Sequence, residues 1–489
     1  MKKITHKLIT NLNIETLLYL YIIICPILDF SSFLFRNTFN APISPSTIIR
    51  PVIVIISCLY IFIKDKKQRK LFVIAGITYF IYALVHLYIF TTVKNNSSYS
   101  GIIHELQYLI NYTFMVLNLY VYIYGFLKLK DTDKLNKCVL ISVSIYIISI
   151  YIAIITGTSS HTYMLEEMGY KGWFESGNSL SAIFTLSMFI LLNIFNKKTI
   201  SKQVKIWTGS IITIVGIFMM FLIGTRVGLF GFILVLGIYG ISHLIYNVIH
   251  KKNIKQTLII SAILVVIAII GLTLIFTVFG SNTLDRREKV EDMANEVVDE
   301  TTNKKVHITG DLYEIKKQIE AGTLDYDYMS KEQQEAVINL NEIASKYDLS
   351  VENMRILQLI YNVELANNQS SVVYRLFGNG YVSQYREMIL EIELLAILIN
   401  FGIYGFILYL MPFIAVYGYS LYKGIRNIKK IDVEYLMLIS GGGLAFALSL
   451  LSGYIFFNAS TTMIIILINL LLLIKIKEMN QIWKNYYLE

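Results

Sequence analysis

The sequence has few charged residues for its length. Only 16% of its 489 residues are Asp, Glu, Lys or Arg, whereas a soluble protein carries about 25%. It also has 5 prolines and 3 cysteines, and no two of these cysteines have disulfide or zinc spacing. With 55% hydrophobic residues and a mean hydropathy of +0.58, this composition excludes an ordinary cytosolic enzyme, a disulfide-stapled secreted scaffold and a disordered protein.

Long apolar stretches dominate the rest of the chain. A helix needs roughly 20 apolar residues to cross the hydrocarbon core of a bilayer, and about twelve stretches meet that criterion. The first is too long for a cleaved signal peptide and is interpreted as a retained anchor. The sequence therefore predicts an all-α polytopic membrane protein with about twelve transmembrane helices. The stretches are Thr16–Leu34, Thr47–Ile63, Leu71–Phe90, Leu106–Leu127, Cys138–Ile155, Leu180–Phe195, Ile206–Ile223, Gly228–Ile249, Thr257–Val278, Gly402–Tyr422, Tyr435–Phe456 and Thr461–Ile474.

The basic residues indicate the orientation. They cluster in every second short loop, at Lys64–Lys70, Lys128–Lys137, Lys197–Lys205, Lys251–Lys255 and Lys423–Lys430. Loops rich in Lys and Arg stay in the cytoplasm, so both termini are expected inside. The net charge of +9 is then mainly a topology signal, and we expect no nucleic-acid partner because the charge is spread over many small loops.

One polar segment interrupts the hydrophobic pattern between the ninth and tenth predicted helices. It runs from Gly280 to Val373, is richer in acidic than in basic residues, and falls outside by the same orientation rule. Ser330 and Ser350 have the position of helix N-caps. We therefore predict a helical cap outside the membrane and three regions: residues 1–279 with nine helices, 280–394 with the cap and active-site segment, and 395–489 with three helices and a cytoplasmic tail.

Motifs for cofactors and metals are missing. The chain has no Walker A run, no dinucleotide fingerprint followed by an acidic residue, no HExxH, no paired CxxC and no GxSxG. Its 7 histidines are scattered, and a single histidine is more often structural than catalytic. The sequence thus predicts neither a cofactor nor a metal site.

Charges near the predicted outer ends of several helices are the remaining candidates for chemistry. A charge at membrane depth is costly and needs a partner or a function, although snorkelling and internal salt bridges are equally good explanations for any one residue. Arginine binds phosphate oxygens bidentately, and a carboxylate in apolar surroundings can accept a proton near neutral pH. These charged residues are Asp29, Arg50, Lys171, Arg226, Arg375, Arg386, Glu391 and Glu393.

Four glycines stand close to these charges. Gly378 and Gly380 are expected to form a turn, because glycine accepts positive φ. Gly402 and Gly405 are expected to allow close helix packing. They are interpreted as structural residues that place the charged side chains.

Four segments together resemble a known family. They are CPILDF with IIRP, GYKGWFESGNSLSAIF, GTRVGLFGFIL, and RLFGNGY followed by EIELLAILINFGIYGF. Their order, with the long outer loop before the last of them, is similar to the O-antigen ligase/polymerase superfamily of bacterial membrane proteins. The chain resembles especially the version found in Gram-positive capsule and exopolysaccharide clusters.

The resemblance implies a metal-independent glycosyltransferase in the bacterial cytoplasmic membrane. Its active site would face outside and use polyprenyl-diphosphate-linked sugars, in a fold similar to other multi-span lipid-dependent glycosyltransferases. Arg226 would hold the diphosphate, helped by Lys171 and Arg50. The remaining candidate residues for binding the diphosphate or glycan are Arg375, Arg386 and Asn178.

The same resemblance indicates which residues could act as the general base of the glycosyl transfer. Ligases of the family often carry a histidine after the GxG turn, but here no histidine lies between Gly380 and the C-terminus. Glu391 and Glu393 lie there instead and are predicted to supply the base. They face different sides of a helix, so only one of them can do so. This difference favours a polymerase.

Two alternatives stay open at this stage. A ligase would transfer the finished polysaccharide to a cell-surface acceptor with nearly the same fold and charges. A flippase or other transporter also suits about twelve helices, although no inverted or parallel repeat is present. Expected partners are lipid-linked oligosaccharides and membrane lipid, with a flippase and a chain-length regulator as further protein partners.

Overall fold

The computed structural model describes most of the chain and confirms a polytopic helical membrane protein. The described residues are 13–41, 43–93, 99–129, 131–163, 168–251, 254–275, 311–324, 331–347, 349, 354–368, 372–381, 390–451, 453 and 455–486. The predicted caps Ser330 and Ser350 and the candidate Arg386 lie outside these residues.

Within the described residues up to 275, nine α-helices correspond to the nine predicted stretches. Local sequence sets their starts: Asn13 accepts a hydrogen bond from the backbone of Thr16, and Asp65 accepts from the amides of Lys67 and Gln68, which satisfies donors that a helix start leaves free. The helices are α1 (Ile14–Asn37), α2 (Pro45–Lys64), α3 (Lys66–Tyr88), α4 (Tyr99–Phe126), α5 (Asp133–Ile155), α6 (Gly177–Asn196), α7 (Lys202–Ile217), α8 (Arg226–Ile249) and α9 (Ile254–Ile275).

A short antiparallel hairpin, which the all-α prediction did not include, joins α5 to α6. Its strands are β1 (Ser160–Tyr163) and β2 (Met168–Gly172), with Tyr163 opposite Met168. Gly169 and Gly172 both have positive φ, a conformation that glycine adopts without steric cost. Strands of four and five residues flanked by spanning helices give almost no periodic signal, which explains the omission.

The second part of the chain contains a cap of short helices followed by four long ones. The cap helices are α10 (Asp311–Glu320), α11 (Lys331–Lys346), α12 (Met354–Asn368) and α13 (Val372–Phe377). Val337, Leu340 and Leu357 belong to a small hydrophobic core that is separate from the main one. The long helices are α14 (Glu393–Tyr409), α15 (Met411–Arg426), α16 (Val433–Leu451) and α17 (Ala459–Tyr486).

Among the described residues, 10 helices are long and apolar enough to cross a membrane, or 11 with the bent pair α14–α15 counted as one span. The predicted tenth helix, Gly402–Tyr422, is a bent pair of helices in the structure. The helix begins earlier, at Glu393, and the chain bends by 50° between Tyr409 and Met411. Pro412 stands in the first turn of α15, where it lacks the N–H that would continue the preceding helix.

Burial places the centre of the bundle at α6 and α17. In each of them 83% of the apolar window is buried, whereas α2 and α3 reach only 22% and 17%. The apolar side chains that α2 and α3 leave exposed suit contact with lipid, which is as apolar as the core. The bundle is therefore organised around two central helices.

A second irregularity lies inside α14, at Gly402. Its φ of 68° and ψ of −174° interrupt the helical backbone. The glycine turn, Gly378–Gly380 after α13, occupies the place that this break opens. The amides of Asn379 and Gly380 donate to the carbonyls of Ile399 and Asn400, at 2.9 and 2.8 Å. A Cβ on Gly378 would lie 2.2 Å from the carbonyl oxygen of Asn400, so the two segments meet backbone to backbone.

We expect Gly402→Ala to destabilise the protein. A Cβ there would lie 2.5 Å from the Gly378 nitrogen and from the Leu376 carbonyl oxygen, and positive φ alone costs a non-glycine residue about 1–3 kcal/mol. Gly418→Ala in α15 is the matched control, because a Cβ at Gly418 meets nothing within 4 Å. Size-exclusion chromatography of heated, detergent-solubilised protein should show a lower melting temperature for Gly402→Ala alone; equal melting temperatures would contradict this account of the break.

Candidate functional site

A cavity of about 850 Å³ opens between the helices. Its walls are the C-terminal half of α1, the N-terminal turns of α2, α6 and α17, one face of α4, and Tyr381 after the glycine turn. All these helix ends lie opposite the basic loops, at the end of the bundle that the sequence predicts to face outside. A concave site with a few convergent polar groups is the usual form of a binding site.

Arg50 and Asp29 form the most enclosed ion pair of the cavity. Nη2 of Arg50 lies 2.6 Å from Oδ1 of Asp29, and the two side chains are only 11% and 24% exposed. The same nitrogen donates to the hydroxyl of Ser460 at 2.9 Å, and the hydroxyl of Tyr146 donates to the other oxygen of Asp29. This network fixes α1, α2, α5 and α17 around one guanidinium.

A second, more open pair lies beside the hairpin. Nη1 of Arg36 lies 3.0 Å from a carboxylate oxygen of Glu175, with side chains 53% and 46% exposed. Behind this pair, Nζ of Lys171 donates to the backbone carbonyl of Glu175 at 3.1 Å. Burial of the Lys171 ammonium lowers its pKa, and the nearby Glu175 carboxylate partly opposes that shift. Together with Arg50 and Asp29, these residues give the site three cations and two carboxylates.

One face of α4 forms a wall that the sequence analysis missed. His104, Gln107, Tyr108, Asn111 and Asn118 all line the cavity, and their spacing of three, four and seven residues places them on one side of a helix. Polar residues repeating at helical spacing within an apolar stretch were the available signal, because such residues normally face a cavity or a partner.

Glu393 does not line the cavity. It is 3% exposed at the start of α14, and its carboxylate accepts hydrogen bonds from the backbone amides of Phe456, at 2.6 Å, and of Phe457. The side chains of those two phenylalanines do line the cavity. In this geometry Glu393 positions the loop before α17, and its predicted role as base stays a prediction.

Glu391 lies in a different environment, at the contact with the cap. Its carboxylate is 2.9 Å from Nε of Arg355, and the two side chains are 38% and 42% exposed. Its backbone amide donates to the side chain of Gln358 at 3.2 Å. Glu391 therefore connects the start of α14 with α12.

Arg226 lies apart from the cavity, exposed at the first turn of α8. Its neighbour Thr225 hydrogen-bonds to Ser181 on α6, whereas Ser179 of the same helix lines the cavity. Two residues along a helix correspond to a rotation of about 200°, so α6 stands between Arg226 and the cavity. Arg375 is exposed and Asn178 half-buried, and neither lines the cavity.

A buried pair of titratable groups holds the glycine turn. Nε2 of His86 lies 2.7 Å from a carboxylate oxygen of Glu105, and Nδ1 lies 2.6 Å from the carbonyl oxygen of Phe377. Since a carbonyl only accepts hydrogen bonds, Nδ1 carries a proton. The other Glu105 oxygen accepts from the amide of Tyr381 at 2.8 Å, which fixes Tyr381 at the cavity wall.

The donor set suits an anion next to a neutral polar ligand. Within the described part of the chain, no group of three or more His, Cys, Asp or Glu residues could hold a metal ion. Arg36 and Arg50 instead provide guanidinium donors, which match phosphate oxygens in geometry and charge. The α4 wall provides amides, which both donate and accept hydrogen bonds.

Comparison with known protein families gives a match over most of the chain. A family model described as "O-antigen ligase like membrane protein" matches residues 12–479. The match includes every element that lines the cavity. No curated protein and no solved structure matches the chain.

The two glutamates should differ in their effect on stability. Glu393→Gln replaces one of the two carboxylate oxygens with an amide NH2 group, which would face the backbone N–H of Phe456 or Phe457. A buried donor left without an acceptor costs about 1–3 kcal/mol. Glu391→Gln, the matched control, weakens a partly exposed ion pair worth about 0–1 kcal/mol. Thermal unfolding in detergent should therefore show a clearly larger loss for Glu393→Gln; equal losses would argue against its role in holding the loop.

Proposed function

Since the chain belongs to the family of O-antigen ligase-like membrane proteins, we propose that it polymerises saccharide repeat units carried on polyprenyl diphosphate. Family membership gives an integral membrane protein that processes lipid-linked polysaccharide. The proposal adds the reaction and its place: glycosyl transfer with release of polyprenyl diphosphate, at the outer face of the bacterial cytoplasmic membrane.

The unused hydrogen-bonding capacity of Arg50 is the observation that carries the proposal. Its hydrogen bonds to Asp29, Ser460 and the Cys25 carbonyl all use Nη2. Its Nε is buried without a partner among the described residues. A guanidinium has five N–H donors, so Arg50 can keep Asp29 and still bind a phosphate oxygen.

Arg36 and Lys171 add to this cationic end. An exposed ion pair such as Arg36–Glu175 contributes only about 0–1 kcal/mol, so Arg36 can exchange its carboxylate for a phosphate at little cost. The Lys171 ammonium, behind Glu175, raises the potential there without occupying the cavity. Together they support a diphosphate between α2 and the start of α6.

With the diphosphate held at Arg50, the proposed reaction is a glycosyl transfer. A hydroxyl of the acceptor saccharide attacks the anomeric carbon of the donor, the bond from that carbon to the diphosphate oxygen breaks, and a base takes the hydroxyl proton. Negative charge grows on the departing diphosphate, where Arg50 stabilises it. The phospho-sugar bond supplies the driving force, so the step needs no nucleotide.

The proposed reaction also needs a general base that takes the proton of the acceptor hydroxyl. The sequence assigns it to Glu393 or Glu391, and neither lines the cavity. His104 is the imidazole on the cavity wall, and imidazole is the commonest general base. We therefore include His104 as a candidate beside the two glutamates. The absence of a histidine after Gly380 still favours a polymerase over a ligase, which would differ only in its acceptor.

Arg50→Gln should lower polymer formation by about 10²- to 10³-fold, the usual cost of removing one donor to a developing oxyanion. The measurement is the amount and membrane face of lipid-linked saccharides in cells that carry the variant at normal protein level. Single repeat units should accumulate on the outer face. Arg226→Gln is the matched comparison, since an equal loss from it would move the diphosphate to the far side of α6.

Other outcomes separate the competing functions. Full-length polymer that remains on its lipid would replace the polymerase with a ligase. Single units retained on the inner face would contradict both enzymatic functions and favour a flippase.

His104→Gln tests the base. Loss of general base assistance should lower the rate by about 10²- to 10⁴-fold while the affinity for lipid-linked substrate stays unchanged, as measured on purified protein across pH. Glu391→Gln serves as the comparison. If Glu391→Gln abolishes turnover and His104→Gln does not, the sequence assignment of the base stands and the cavity assignment fails.

A further inference from the structure

The α4 wall runs along the whole depth of the cavity. From His104 to Asn118 the helix rises about 21 Å, at about 1.5 Å per residue. Asn118, at the deep end, is hydrogen-bonded to Tyr21 of α1. His104 lies near the opposite end, close to the start of α4. The wall therefore leads from the deep end of the cavity toward the predicted outer surface.

The amides in the middle of this wall are available to a ligand. Gln107 and Asn111 line the cavity, and within the described part of the chain neither makes a side-chain hydrogen bond. Polar side chains at membrane depth are costly and are normally paired or functional. An amide both donates and accepts hydrogen bonds, as the hydroxyl and acetamido groups of a sugar do.

Aromatic rings stand beside these amides. Tyr108 stacks on Tyr381 at 4.2 Å between ring centroids, and Phe457 lies 5.2 Å from Tyr108. All three side chains line the cavity. They offer apolar faces next to hydrogen-bonding groups, which suits a sugar ring because it has C–H faces and a polar edge.

The charged side chains of the cavity stand on its other walls, on α1, on α2 and just before α6. Both carboxylates that line it, Asp29 and Glu175, are paired with arginines, and the wall from Gln107 to Asn118 contains no charged side chain. Hydroxyls of Ser32, Ser46 and Thr462 add further neutral donors and acceptors on other walls. An acidic sugar would find no cation along this wall.

We propose that the α4 wall is a binding site for an uncharged part of the saccharide, extending from the diphosphate at Arg50 toward His104. The inference rests on the proposed function and adds a substrate class to it. Gln107 and Asn111 contact sugar hydroxyl or acetamido groups, and Tyr108 packs against a ring face. Since a site built to hydrogen-bond a hydroxyl discriminates against ligands that lack it, these residues determine specificity.

The test compares two probes on purified full-length protein: polyprenyl diphosphate alone, and the same lipid carrying one N-acetylglucosamine. The wild type should bind the sugar-bearing lipid more tightly. Gln107→Leu and Asn111→Leu should each weaken binding of that probe about five- to tenfold, the effect of one hydrogen bond of about 1 kcal/mol, and leave binding of the bare lipid unchanged. Asn111→Ala is the second variant if leucine packs poorly.

Thr113→Val is the matched control on the same helix, because its hydroxyl donates to the Leu109 carbonyl and does not line the cavity. It should bind both probes like the wild type. Equal weakening of both probes by the leucine variants, or no change in either, overturns the proposal. Arg50→Gln distinguishes a failure of the proposed function from a failure of the inference about the α4 wall. If this variant retains affinity for the bare lipid, the diphosphate site of the proposed function fails, whatever the α4 variants show.

Discussion

Non-helical backbone inside a membrane protein must find hydrogen-bond partners within the chain, because no water is present in the hydrocarbon core. Two buried carboxylates meet this requirement around the cavity. Glu105 accepts the amide of Tyr381 after the glycine turn, and Glu393 accepts the amides of Phe456 and Phe457 before α17. A carboxylate has enough lone pairs to satisfy several donors at once, so these two side chains fix the irregular segments whose rings form the cavity wall.

The polytopic helical character could be predicted from the sequence, since long apolar runs are a direct consequence of the bilayer. The sequence also identified Asp29 and Arg50 as charges near the predicted outer ends of two helices. It could not reveal that they pair with each other, because pairing depends on the rotation of α1 and α2 about their axes. The break at Gly402 and the bend before Met411 were missed for a related reason: apolar composition continues through both.

The site was harder to predict than the fold. Arg226 and Glu393 were predicted to be functional because each is a charge in apolar surroundings. That description fits both a functional residue and a structural one. In the structure, α6 separates Arg226 from the cavity, and the carboxylate of Glu393 is occupied by backbone amides. The side-chain amides of α4 were not among the predicted site residues, because that prediction considered charged residues. Neutral polar residues at helical spacing indicate a shared helix face, since their common orientation does not depend on tertiary contacts.

The small hydrophobic core of the cap has an evolutionary consequence. That core, around Val337 and Leu340, is separate from the core of the membrane bundle, and one described connection between the two is the contact of Arg355 and Gln358 with Glu391. Substitutions confined to this small core leave in place the contacts of α13 and the glycine turn with α14. The part of the cap formed by α10 and α11 can therefore diversify in sequence under its own selection while the bundle beneath it is maintained.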